Sequence, residues 1–185
     1  MKEKKLFSVH NVALIGVLAA MVFALTKFVS IPIPSPLGKT ALSVGNAMCV
    51  LAALLFGPGV GGLAAGIGSM FFDLTNPVYI ASAPFTFAFK FLMAWICGMI
   101  ASAGKKEAPW KAAIGAITGA ISYVLLYLAK SFVEDRFVLG LPLDAVWLTV
   151  TQKGLVSTVN GIIAAVVSVP LYLTLRPLLR RAKLL

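Results

Sequence analysis

Four lysines, Lys27, Lys90, Lys130 and Lys153, stand inside stretches of sequence that are otherwise almost free of charge. An ammonium held in hydrocarbon costs about 3 kcal/mol on insertion scales, so each lysine either snorkels its head to a membrane surface or faces a wet, polar interior. Both readings fit their shallow positions, but the neighbours of two of them favour the second. Lys90 follows Phe85-Thr-Phe-Ala-Phe89, and Lys153 follows Thr149, Thr151 and Gln152. Tyr123 and Tyr127 lie one helical turn apart, with Lys130 three residues further on. Aromatic faces beside fixed cations and amides suit the capture of a flat, polar, heteroaromatic molecule, with no chemistry done on it. The densest such stretch runs from Asp73 to Lys90 and sets Asn76, Tyr79, Pro77, Pro84, Phe85, Phe87 and Phe89 between two apolar segments.

Catalysis finds little support. The single histidine, His10, falls at a membrane edge, and Asp73, Glu134, Asp135 and Asp144 are expected at shallow outer positions rather than around one site. Cys49 and Cys97 fall in apolar runs and read as small buried hydrophobes. The glycine-rich run Gly61-Gly-Leu-Ala-Ala-Gly-Ile-Gly-Ser69 is not a nucleotide-binding loop, because no Gly-Lys-Ser/Thr closes it. Close helix packing explains it better. No enzyme activity, cofactor or metal is expected.

The elements that position these residues must be membrane spans. Of the 185 residues, 60% are hydrophobic and 12% charged, and the mean hydropathy is +0.98. A soluble domain of this size could not cover so much apolar surface. The formal charge of +10 does not point to nucleic acid, because it is distributed in clusters: Lys2, Lys4 and Lys5; Lys105, Lys106 and Lys111; Arg176, Arg180, Arg181 and Lys183. Basic clusters on alternate connections follow the positive-inside rule and suit anionic head groups.

In order, the spans are expected at about 9–30, 44–56, 58–73, 81–103, 111–132 and 150–175, in a single domain over 1–185. The first carries no cleavage site after a short apolar region and is expected to stay in the protein. Its Gly16, Ala20 and Ala24 form a strip of small side chains, which serves either packing within the bundle or a partner helix. Residues 31–43, with three prolines, are expected to form an outer loop. Phe56-Gly-Pro-Gly-Val60 splits the next apolar run into two short helices joined by a tight turn. The segment from Glu134 to Thr149 is expected as an outer loop, and Asp73 and Asn76 as loop and helix-end structure. The fold class is therefore an all-α integral membrane protein, six helices in one bundle, with both termini cytoplasmic.

Phe56-Gly-Pro-Gly-Val-Gly-Gly62, Gly66-Ile-Gly-Ser69, Asp73-Leu74, Tyr79, and Pro84-Phe-Thr-Phe87 with Lys90 together resemble the substrate-binding S component of energy-coupling factor (ECF) vitamin transporters. The similarity is to the riboflavin, pyridoxine or hydroxymethylpyrimidine group and spans most of the chain. It implies a high-affinity capture subunit in the plasma membrane, which docks on a transmembrane coupling subunit driven by two cytoplasmic ATPases and topples to release its vitamin. It also maps the family's AxxxA docking motif onto Gly16 and Ala20, with Ala24 continuing the strip, and makes residues 31–43 a lid. By the same resemblance, ligand contacts are expected among Lys39, Asn46, Tyr79, Phe85, Phe87, Lys90, Tyr123, Tyr127, Gln152, Lys153 and Asn160. A pyridoxine or pyrimidine ring is slightly favoured over riboflavin, since spans four to six offer few polar side chains. The alternatives are a stand-alone secondary transporter and, less favoured, a small membrane enzyme.

Overall fold

Helix α1, Val9–Phe28, begins where Ser8 caps it, the Ser8 hydroxyl accepting the Asn11 N–H at 3.3 Å. The computed structural model describes residues 8–35, 38–103 and 108–182, with the backbone alone at 32–35 and 38–40. The 20 residues of α1 rise about 30 Å, the thickness of a hydrocarbon layer. Ile15, Leu18, Ala19 and Val22 make its buried stripe, while Val12, Val17 and Met21 are exposed on the outside. Such a distribution suits a helix whose solvent is lipid.

The segment after α1 corrects an expectation. It is a two-stranded antiparallel ribbon rather than an irregular loop, with β1 at Ser30–Ser35 and β2 at Gly38–Ser43, paired from Ser30↔Ser43 to Ser35↔Gly38. The prolines do end the helix, as expected, but their two-residue spacing places Pro32 and Pro34 in the same parity as Ser30 and so admits a strand. Alternate residues of an antiparallel pair turn their N–H groups away from the partner strand, so a proline there costs no ladder bond. The chain is thus mostly helical, not wholly so.

Helix α2, Gly45–Leu74, is interrupted at Gly57, whose φ of +84° is open to glycine and strained for other residues. The two arms fold back on each other. Gly61 lies so close to the backbone of Ala52 and Ala53 that a Cβ would collide with it, and the Cys49 Sγ stands 3.9 Å from the Ser69 Oγ across the arms. Every residue from Gly45 to Leu54 is buried. A helix apolar and covered all round belongs at the centre of a bundle, and α2 does contact α1, α3 and α5.

A single 3₁₀ turn, Ile80–Ser82, leads into α3, Ala83–Ser102; α4 runs from Pro109 to Val133 with proline at its first position. Chain continues through a π turn, Glu134–Val138, reverses at Gly140 with φ +64°, and enters α5, Leu143–Arg181. Here too the structure departs from the sequence. Most of the expected outer loop from Glu134 to Thr149 is helical, because Glu134 and Asp135 are each paired with a lysine and their charge does not end the helix. Among the described residues five helices are long and apolar enough to cross a membrane, the folded-back α2 counting as one.

Candidate ligand-binding cavity

A cavity of about 340 Å³ opens at the end of the bundle where α1 finishes and α5 begins. Thr26 of α1, Ser30, Ala41 and Ser43 of the ribbon, and Asn46, Ser69, Phe72 and Asp73 from both arms of α2 form one side. Tyr79, Ser82, Thr86 and Lys90 come from the 3₁₀ turn and α3; Tyr123, Tyr127, Lys130 and Ser131 from α4; Glu134 and Asp135 from the π turn; Lys153, Ser157 and Asn160 from α5.

Lys90 lies at the heart of it. Its side chain is buried, its Nζ sits 4.1 Å from the centroid of the Tyr123 ring, and it donates to the Asn46 Oδ1. A desolvated cation over an aromatic face is worth about 2 kcal/mol, which offsets part of the cost of burying the charge. Tyr123 and Tyr127 stack at 5.9 Å with 11° between their planes. Across the cavity mouth Phe72 and Tyr79 meet at 6.2 Å. Burial, and secondarily the Asp73 carboxylate, hold the Tyr79 phenol above its ordinary pKa, so it stays a neutral hydrogen-bonding group.

Two carboxylates expected at shallow positions are also buried among protein side chains. Asp73, 6% exposed, lies in the last turn of α2 within the cavity wall and bonds Thr86. Asp135, 2% exposed, accepts from the Lys153 Nζ at 3.1 and 3.3 Å and from the Thr149 hydroxyl at 2.9 Å. The π turn rotates Asp135 inward, a role for which such turns are used at functional sites. Lys130 completes the charged rim, bonding Glu134 and, at 2.9 Å, the Ser82 Oγ. Among the described residues no three metal-ligating side chains converge.

Asn160 makes a different connection from the one expected. Its Oδ1 accepts the Ser43 N–H and its Nδ2 donates to the Ala41 carbonyl, both at 2.8 Å. One side-chain amide thus bonds the free edge of β2 as a further strand would, and fastens the ribbon to α5.

Of the expected contacts, Asn46, Tyr79, Lys90, Tyr123, Tyr127, Lys153 and Asn160 are brought together around this cavity. Phe85 and Phe87 are not. Phe85 is 51% exposed and pairs with Phe89 on the outer face of α3, while Phe87 packs over Gly66 and stacks on Phe91. The face of α3 that lines the cavity carries Thr86 and Lys90, four residues apart; the Phe85 ring reaches only the rim, with the Lys130 Nζ 5.7 Å from its centroid, and Phe87 turns to Gly66. Gln152 is half-buried and outside the lining, one residue short of Lys153. The Lys39 side chain lies outside the described residues. Thr86 and Asp135 were missed, the i, i+4 relation of Thr86 to Lys90 being the available signal for the first; Asp73, expected as helix-end structure, does stand at the end of α2 and also enters the cavity wall.

Over residues 6–177 the sequence matches the family described as ECF-type riboflavin transporter, S component. An uncharacterized protein in the gap 3' region of Pyrococcus woesei is 35% identical over 108 residues, 58% of this chain and 69% of that protein. A solved structure of the S component of a bacterial ECF transporter superposes with a TM-score of 0.63, covering 91% of this chain and 96% of the other at 20% identity. At that identity the likeness is one of fold.

Proposed function

The chain belongs to the ECF-type riboflavin transporter S-component family, and we propose that it is the subunit that captures riboflavin at the outer membrane surface. It is a multi-pass plasma-membrane protein and a vitamin-transport subunit, not an enzyme. The observation that carries the choice of ligand is the pairing of the stacked Tyr123 and Tyr127 under Lys90 with a wall of hydroxyls. A flat tricyclic ring suits the aromatic side. A polyhydroxy chain suits Thr26, Ser30, Ser43, Ser69, Thr86 and Ser157, which line the same cavity. The smaller ring favoured by the sequence rested on the few polar groups of the last three spans, whereas four of these hydroxyls come from α1, the ribbon and α2.

Charge supports an uncharged ligand. Lys90, Lys130 and Lys153 are matched in the lining by Asp73, Glu134 and Asp135, so a phosphorylated or cationic vitamin would bring uncompensated charge into a poorly solvated site. A volume of about 340 Å³ is at the small end for ligand sites, which span roughly 300–1,000 Å³.

We read the folded-back α2 as two crossings, six in a single domain, and the basic residues 176–181 favour an inner position for both ends by the positive-inside rule. The cavity then faces outward under the ribbon as its lid. Release inward requires a partner with a different affinity for the two states: a transmembrane coupling subunit and two ATPases, docked along Gly16, Ala20 and Ala24. Gly16 and Ala20 are exposed, and Ala24 is half-buried.

Titration of the purified protein tests the ligand. Riboflavin is expected to saturate one site and quench its own fluorescence against the tyrosines, with pyridoxine and hydroxymethylpyrimidine binding far more weakly. Tight binding of either small ring without a riboflavin response would return the site to the smaller vitamin. Uptake without co-expressed coupling subunits would instead indicate a self-sufficient transporter.

A further inference from the structure

Helix α2 folds back at Gly57, so its first and last turns reach the same end of the bundle and bring Asn46 and Asp73 into the wall of one cavity. Beside them α3 sets Thr86 and Lys90 one turn apart in the same wall. Resting on the riboflavin reading of this cavity, we propose that Asp73 is a specificity-determining residue: its carboxylate accepts the imide N–H of the flavin ring while Lys90 donates to a neighbouring carbonyl.

An imide edge presents one N–H between two carbonyls, so the group that reads it needs an acceptor and a donor side by side. An ammonium has three N–H groups, and the Asn46 Oδ1 takes one of those on Lys90. The Lys90 Nζ stands 4.1 Å over the centre of the Tyr123 ring, close to the height at which a second ring would stack. A flat ligand lying on the tyrosines therefore meets the ammonium with its edge. Asp73 bonds Thr86, one turn from Lys90. A carboxylate has about four acceptor sites, so Asp73 can take a ligand N–H with that bond in place. The other acids of the lining, Glu134 and Asp135, belong to the π turn and bond Lys130 and Lys153.

The consequence is a preference within the ligand class. A buried acceptor that meets a group with no proton to give is costly, and sites built to hydrogen-bond a substrate N–H discriminate most strongly against analogues that lack it. Flavins with a free imide fit, and N-alkylated ones do not. Pyridoxine and hydroxymethylpyrimidine carry no imide, which gives the site a reason to refuse them beyond size.

Titration of the full-length protein with riboflavin, 3-methylriboflavin and uridine provides the test. Methylation removes the imide proton and leaves both carbonyls; uridine carries the same edge on a single ring. Wild type is expected to bind 3-methylriboflavin about thirtyfold more weakly than riboflavin. Asp73→Leu is expected to reduce that ratio to about threefold or less by weakening riboflavin, and Asp73→Asn, which keeps a carbonyl acceptor, to retain more of it. Equal affinities for the two flavins in wild type, or an undiminished ratio in Asp73→Leu, overturns the proposal and leaves riboflavin as the ligand. Uridine binding that Asp73→Leu abolishes, with no response to either flavin, upholds imide recognition and removes riboflavin instead. Silence toward all three overturns both.

Discussion

At the scale of residues, the two buried lysines of the cavity under the ribbon are expected to behave differently. Lys153 is neutralised by Asp135, which also holds Thr149. Removing one member of a buried pair strands the other charge and costs roughly 3–5 kcal/mol. Lys153→Met is therefore expected to destabilise the detergent-solubilised protein by about 3 kcal/mol, and Lys153→Met with Asp135→Leu to recover most of it; equal losses in single and double variants would show that the pair is not coupled. Lys90 instead rests on a ring and a neutral amide, so Lys90→Met is expected to lower riboflavin affinity about tenfold or more with a smaller loss of stability, by the cation–π and hydrogen-bond energies it gives up. The sequence made both lysines conspicuous, since a charge in an apolar run is costly wherever it points. It did not reveal Asp135 or Asp73. An acid near the end of a span has water within reach, and only the lysine brought to it by the fold shows that it has turned inward.

At the scale of elements, the ribbon and its attachment to α5 matter most. The prolines of β1 read as breakers, but the signal for a strand was their regular alternation, Ile-Pro-Ile-Pro, which leaves every second N–H available. Asn160 was legible as a deep polar residue, whereas its partners, the Ser43 N–H and the Ala41 carbonyl, belong to a backbone edge that no side-chain pattern reports. If the ribbon is the lid, these two bonds help keep it shut. Each is worth about 1 kcal/mol net, so Asn160→Leu is expected to release riboflavin roughly tenfold faster in stopped-flow fluorescence. Asn160→Asp, which keeps an acceptor for Ser43 and loses the donor to Ala41, should fall between. A release rate unchanged by Asn160→Leu would mean that the ribbon opens without breaking this contact. Gly57 stands at the opposite limit of legibility: Phe-Gly-Pro-Gly announced a break, and the φ of +84° is what that break required.

At the scale of the whole molecule, the two ends of the bundle carry different cavities, and α1 borders both. Its last turn supplies Thr26 to the cavity under the ribbon and its first turn supplies His10 to the basic end, while the exposed Gly16 and Ala20 lie between. No Gly-Lys-Ser/Thr nucleotide loop occurs in the sequence, and on the proposed reading the cavity is emptied by a partner that prefers the emptied state. Small side chains are what allow another helix to approach α1 within van der Waals contact of its backbone, and in a membrane such packing is a main source of association. A Cβ added at Gly16 would meet nothing within 4 Å, so a bulky residue there intrudes on a partner without disturbing the fold. Gly16→Trp and Ala20→Trp are therefore expected to leave riboflavin affinity and thermal stability at wild-type values while uptake in cells carrying the coupling subunits falls to the level of cells lacking this chain. Ala24 is half-buried and closer to the cavity, so Ala24→Trp should impair binding and uptake together. Wild-type uptake in both Gly16→Trp and Ala20→Trp would remove this strip as the docking surface and leave its small residues as an accident of packing against lipid.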